Sequence, residues 1–251
     1  MNILSRYKYA LVLQDFVTGG PIDMVVSRRQ EITQPYFANI PRVEWAFVKY
    51  VISDMYAPCQ CYVDQYFPNA VPVVDSFHVI KLITQRLNAY LLKLKRKFRV
   101  RDEKALEERQ RHCSHKLNLR ESRELHLLRT KRWLILANQD TINYNAKPYR
   151  DPHFSHSYMY VGDYERELLK MDSHLKELRE LKEKYIRFNK KYAGDPDGAR
   201  AALEGIIKTY RGCGYSMFEE IAVALMEYKG AIINSFVMLE RMDPLHLKRD
   251  F

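Results

Sequence analysis

Two aspartates, each just past a short β-branched run, are the residues best placed to do chemistry in this chain of 251 residues. The run at 48–52 leads into Ser53-Asp54, and Val71–Val74 leads into Asp75-Ser76-Phe77-His78. Between them, residues 57–67 have helical length and close on the turn pair Pro68-Asn69. Strand, helix, strand at this spacing predicts a βαβ unit with two parallel, mostly buried strands. Reactive groups gather at the carboxyl ends of such strands, and both aspartates fall there. Carboxylate oxygens are hard donors that suit Mg²⁺. Asp54 has a second reading of equal standing, as the N-cap of the helix that begins near Ala57.

Periodicity supplies the elements that must hold these residues. A short apolar strand at 9–13, the turn Thr18-Gly19-Gly20-Pro21 and a second strand at 22–27 read as a β-hairpin. A helix follows at 28–40, interrupted or kinked by Pro35. Hairpin and βαβ unit together predict an α/β sheet of about four strands, all before Phe77. From there on the pattern is helical, with Ile80, Ile83, Leu87, Tyr90 or Leu91, Leu94 and Phe98 recurring at spacings of three and four. Further helices are predicted at 120–137, 163–192, 199–210 and 216–239. The first of these is separated from the second by a polar connector at 138–160, rich in Tyr and His. The Glu-Lys alternation of 163–192 reads as an exposed helix or a short coiled coil.

The net charge of +10 has a location. Residues 93–132 hold fifteen Lys or Arg against six Asp or Glu, which accounts for nine of the ten charges. A basic run is commonly only a solvated face. Clustering on this scale is the footprint of a phosphate-backbone binder, and it favours nucleic acid. The candidate contacts are Lys93, Lys95, Arg96, Lys97, Arg99 and Arg101, with Lys131 and Arg132 further on. Trp133 reads as packed, because Leu134 and Leu136 continue its apolar run.

Other chemistry is thinly encoded. Cys59-x-Cys61, His112-Cys113-Ser114-His115, and His153 and His156 with Asp151 all lack partners at the usual metal-ligand spacing. Four scattered cysteines do not suggest a disulfide framework. A hydrophobic content of 47% argues against disorder. No apolar run approaches the roughly 18 residues that would span a membrane, and the N-terminus does not read as a signal peptide. A cytoplasmic protein is expected.

Asp54-Met55-Tyr56, Phe67-Pro68-Asn69-Ala70 and Asp75-x-x-His78-Val79 together resemble the core of bacterial insertion-sequence DDE transposases. The group is the ISL-three family, distantly similar to the Mutator-type enzymes. The likeness runs from about Tyr7 to about Phe236, with Ser76 where the family usually carries arginine. It implies an incomplete RNase H-like core followed by a mainly helical C-terminal region. It also implies strand cleavage and transfer in DNA, Mg²⁺ as cofactor and transposon-end DNA as partner, with a homo-oligomer left open and no membrane. Asp54 would be the second acid of the triad and a metal ligand. Asp75 and His78 would be the accessory Asp-x-x-His motif that positions the site.

Two parts of the family pattern are not found. The first acid stands on a strand before the hairpin, whereas residues 1–6 hold no acid and Asp15 lies at the hairpin turn. The last acid sits in a Gly-Pro-Ile-Glu motif beyond an Asn-Ser-Phe helix. Asn234-Ser235-Phe236 is present, yet the chain continues to Met242-Asp243-Pro244 without that motif. Neither Glu240 nor Asp243 is singled out as a substitute. The expectation is a chain truncated at both ends, inactive alone and holding Mg²⁺ weakly. Its parts would be a core at 1–78, a basic helical region at 79–137 and a helical region at 138–251 with an irregular tail at 241–251. A non-catalytic DNA-binding module and a protein-interaction scaffold built on the Leu-rich helices remain open alternatives.

Overall fold

The computed structural model describes residues 9–118, 121–192 and 194–241. Four strands precede Phe77, close to where the apolar runs predict them. β1 (Leu11–Gln14) and β2 (Pro21–Val25) pair antiparallel, with Leu11 opposite Val25 and Val12 opposite Met24. Their turn needs a left-handed residue, supplied by Gly19 at φ 69°. Asp15 serves that turn, its carboxylate accepting from the Thr18 N–H at 2.6 Å. α1 (Gln30–Ala38) accommodates Pro35 within its length, and α2 (Arg42–Trp45) is a single turn. β3 (Tyr50–Ser53), α3 (Ala57–Tyr66) and β4 (Val71–Val74) form the expected parallel βαβ unit.

The strands do not merge into one sheet of four, as the periodicity predicted. They remain two pairs, β1–β2 and β3–β4. Among the described residues no strand lies between the pairs to bridge their hydrogen-bonding edges. Side chains join them instead. Phe37, Tyr62, Val63, Tyr66 and Phe67 form a buried cluster against which Leu11, Leu13, Trp45 and Val51 pack. Phe37 is its hub, stacked on Tyr66 at 5.4 Å and edge-on to Phe67 at 5.8 Å. Truncating such a ring to Ala costs about 3–5 kcal/mol.

Helices make up most of the remainder. α4 (Ser76–Arg111) buries Val79, Ile83, Leu87, Leu91 and Leu94 at the predicted three- and four-residue spacing. Then follow α5 (Arg123–Thr130), α6 (Trp133–Leu136), β5 (Tyr149–Asp151), β6 (Ser157–Met159), α7 (Val161–Lys170), α8 (Leu175–Lys191), α9 (Pro196–Arg211), α10 (Ser216–Glu227) and α11 (Lys229–Arg241).

Three expectations are corrected here. β5 and β6 pair antiparallel, so strands do occur after Phe77 and the connector at 138–160 contains a built hairpin. Long-range bonds order it: Asp151 accepts from the Tyr164 hydroxyl at 2.8 Å. The helices predicted at 120–137, 163–192 and 216–239 are each broken in two. At the second break Asp172 accepts from the His174 N–H at 2.9 Å, the local competition that ends helices at aspartate. Finally, α8 is not an exposed helix. Arg179, Lys182 and Glu183 are buried on it beside the apolar stripe Leu175, Leu178, Leu181, Tyr185 and Phe188. Lys182 is tolerated because it pairs with Glu183 at 2.8 Å and donates to the Leu136 and Ala137 carbonyls.

The chain divides into two units. One takes in Met1–Val79, Tyr192–Ile207 and Val223–Phe251, the other Ile80–Lys191 and Lys208–Ala222. Within the first, α11 covers the open edge of β4, and the Asn234 side chain donates to the Pro72 carbonyl at 2.8 Å. Proline, lacking an N–H, suits a strand edge of this kind. The predicted irregular tail beyond residue 241 lies outside the described residues, as does Asp243.

Candidate functional site

The parallel register of the βαβ unit sets two acids side by side. Ser53 is the partner of Val74, so Asp54 and Asp75 leave the same end of adjacent strands. The Asp75 N–H donates to the Ser53 carbonyl at 3.2 Å, extending the ladder by one step. The cap reading of Asp54 is not realised: Tyr56 precedes α3, and no side chain caps that helix. Capping falls to Asp75, whose Oδ1 accepts from the Phe77 N–H at 2.9 Å at the head of α4. One turn along, His78 Nε2 faces Asp75 Oδ2 at 3.8 Å. The contact is loose, with both side chains about one third exposed.

Asp54 is half-buried in a mixed setting. The Arg28 guanidinium lies over the rings of Tyr9 and Tyr56, at 4.4 and 4.7 Å. Burial pushes the Cys59 thiol up to about 11, and the Asp54 charge adds to the effect. The Tyr228 hydroxyl is raised by burial first, then by the charges of Glu227 and Asp54. Glu227, on the last turn of α10, is an acid that sequence spacing did not single out. Nothing short of the tertiary return of the chain could have found it. The Glu240 side chain lies outside the described residues.

The basic block divides on inspection. Lys93, Arg96 and Lys97 are exposed on α4, three and four residues apart, and form no ion pair among the described residues. Lys95 is half-buried. Arg99 pairs with Glu103 at 2.9 Å. Arg101 bridges Asp102 and Glu124, both at 2.8 Å. Lys131 is held over the rings of Tyr149 and Tyr164, at 4.8 and 4.4 Å, and Arg132 is half-buried. Trp133 is 46% exposed, so the packing expected of it belongs to its neighbours Leu134 and Ile135.

Among the described residues, Asp54, Asp75 and His78 do not gather as a ligand set at metal-binding distance. The group that does is Glu121, His126 and His153, in the other unit. No helix there or elsewhere among the described residues is long and apolar enough to cross a membrane.

A mixed α/β chain with acids at adjacent strand ends and a long basic helix has the outline of a protein acting on nucleic acid. The family model of the ISL-three DDE transposases, described as Transposase, matches residues 2–240. The chain belongs to that family, and its function is of the transposase type, in insertion sequences and DNA transposition. No curated protein and no solved structure matches it.

Proposed function

We propose that this chain carries the strand-end part of a DDE transposase centre for DNA cleavage and transfer, and that its 251 residues do not cut or join DNA unaided. The register of Ser53 with Val74 carries the reading, because it brings Asp54 and Asp75 to one end of a parallel pair. The same βαβ unit supports a partial RNase H-like core over 1–78. Asp54 is the acid available to a cation. Asp75 is committed to the head of α4, and His78 leans on it, which suits a positioning role for both.

In enzymes of this type Mg²⁺ neutralises the phosphate and lowers the barrier to attack. The residues described here fit a two-cation site poorly. Two divalent ions bring four positive charges, whereas Asp54 is the one strand-end carboxylate without a capping bond, and imidazole suits softer metals than Mg²⁺. No catalytic step is therefore assigned to the ions. DNA is expected on α4, where Lys93, Arg96 and Lys97 present free charge to a phosphate backbone.

The test uses the purified chain, DNA carrying insertion-sequence ends, and Mg²⁺ or Mn²⁺. The expected result is DNA binding that weakens linearly in log salt, without nicking or joining. Calorimetry should find no Mg²⁺ site tighter than about millimolar. Metal-dependent nicking abolished by Asp54→Ala would overturn the proposed inactivity. Loss of the salt dependence would overturn the DNA surface and favour a scaffold for other proteins.

A further inference from the structure

In the second unit, four side chains that no motif connects are drawn together. Ser122 caps α5 by accepting from the Leu125 N–H, which fixes Glu121 just before the helix and His126 one turn into it. His153 comes from the single 3₁₀ turn Pro152–Phe154 between β5 and β6. Ser155 and His156 follow at φ 56° and 58°, left-handed values uncommon for residues with a Cβ. The Arg123 side chain holds the turn from outside, donating to the His153 carbonyl at 2.7 Å.

The nitrogens of the two imidazoles are sorted by what they face. His126 Nδ1 and His153 Nε2 both point to one oxygen, Glu121 Oε2, each at 3.6 Å. The opposite nitrogens face the two oxygens of Asp151, His126 Nε2 at 3.3 Å and His153 Nδ1 at 3.4 Å. Those two nitrogens are buried without an aligned hydrogen-bond partner. Asp151 is 1% exposed and is itself fixed by the Tyr164 hydroxyl at 2.8 Å and the His153 N–H at 2.9 Å. A carboxylate behind an imidazole takes its N–H and turns the other nitrogen into a lone-pair donor. On both rings that donor is the one facing Glu121. Two ring nitrogens and a carboxylate oxygen thus lie within 4.8 Å of one another, the spacing of a ligand set for one cation.

We propose that Glu121, His126 and His153 bind one divalent transition metal of the Zn²⁺ type, with Asp151 orienting both imidazoles from behind. The edge of a tetrahedral zinc site is about 3.3 Å for ligands 2.0–2.1 Å from the ion. The two 3.6 Å separations are therefore a small closure away from it. Two imidazoles with one carboxylate form a borderline donor set that Zn²⁺ accepts and Mg²⁺ does not favour. Three protein ligands leave a fourth position for water. The ion would fasten the start of α5 to the β5–β6 hairpin.

Two features of the site shape how it responds. The imidazoles are stacked, 3.7 Å between centroids and 14° from parallel. Parallel rings cannot aim both lone pairs at one ion, so binding must splay them. Arg129 closes the exposed side, its guanidinium donating to both Glu121 oxygens at 2.8 Å. It supplies positive charge where the ion would, and so competes with it.

The test is calorimetric titration of the chelator-treated full chain with Zn²⁺ alone. One equivalent should bind, with an affinity unaffected by millimolar Mg²⁺, and the histidine ring NMR signals should lose their mutual stacking shift. His126→Gln and His153→Gln should each weaken binding at least tenfold. Asp151→Asn should weaken it about 10–100-fold, the usual loss for an orienting carboxylate. Arg129→Gln should tighten it. Asp151 is buried, so Glu121→Gln, at the exposed rim, carries the same test should the asparagine variant not fold. Absence of saturable Zn²⁺ binding would overturn the proposal. So would binding that survives His126→Gln combined with His153→Gln, which would put the ion elsewhere.

Discussion

Asp54 stands half-buried at a strand end without a capping duty, whereas Asp151 is buried beneath two imidazoles and a tyrosine. The first belongs to a short, local stretch in which family motifs crowd together. The second is assembled from α5, a 3₁₀ turn and α7. Burial alone would raise the Asp151 carboxyl. The hydrogen bonds from Tyr164 and the His153 N–H, with His126 close by, outweigh it and hold the group below the usual carboxylate range. Motif density and structural investment thus point to different places. A site can be conspicuous in sequence while loosely held, and closely built while leaving almost no local trace.

That contrast is sharpest under mutation. Asp151→Ala should be the most damaging change, because it strands two donors, the buried Tyr164 hydroxyl and the His153 N–H. At about 1–3 kcal/mol for each unsatisfied buried group, thermal or urea unfolding should register a loss on the order of 3 kcal/mol. A loss under 1 kcal/mol would show that the cluster is less integral than its burial suggests.

A second comparison divides the basic block. Replacing Lys93, Arg96 and Lys97 together by Gln should flatten the log–log salt dependence of DNA binding by about 2.7, three phosphate contacts at about 0.9 each. Arg101→Gln should leave that slope nearly unchanged, since Arg101 is engaged with Asp102 and Glu124. Equal effects would mean that the internal pairs open on DNA.

Asp75→Ala removes the cap of α4 and should cost about 1 kcal/mol, while Asp54→Ala should fall within about 0.5 kcal/mol of wild type. The reverse order would exchange their structural roles.

The smallest effect is one of pH. The Arg101 hydrogen bond holds the Glu124 carboxyl below its ordinary value near 4.5. A group depressed by folding contributes stability above its unfolded pKa and loses it as pH falls through the folded value. The stability gap between wild type and Arg101→Gln, at most about 1 kcal/mol for a surface pair, should therefore shrink below about pH 4.5. A gap constant from pH 7 to pH 3 would remove the ion pair as its source.

The local elements were legible because they depend on neighbours in sequence. Short apolar runs placed β1 to β4 to within about two residues, and the three- and four-residue spacing of Ile83, Leu87, Leu91 and Leu94 announced α4. The strand-end position of Asp54 and Asp75 followed from the same period, as did the turn role of Asp15. Periodicity carried less far where side chains reach across the fold. It read α8 as exposed, since Lys and Glu alternate there, although Lys182 and Glu183 satisfy each other inside. It read 138–160 as a connector, since the partner that orders Asp151 is Tyr164.

By itself, then, the sequence determined the βαβ unit, the long basic helix and the family to which the chain belongs, all properties written in residues a few positions apart. Tertiary structure alone decided which arginines are free, that the four early strands stay in two pairs, and that Glu121, His126, Asp151 and His153 meet. The reason is range. Backbone periodicity and capping act within a turn or two, whereas charge pairing and ligand convergence depend on distances that only the folded chain sets.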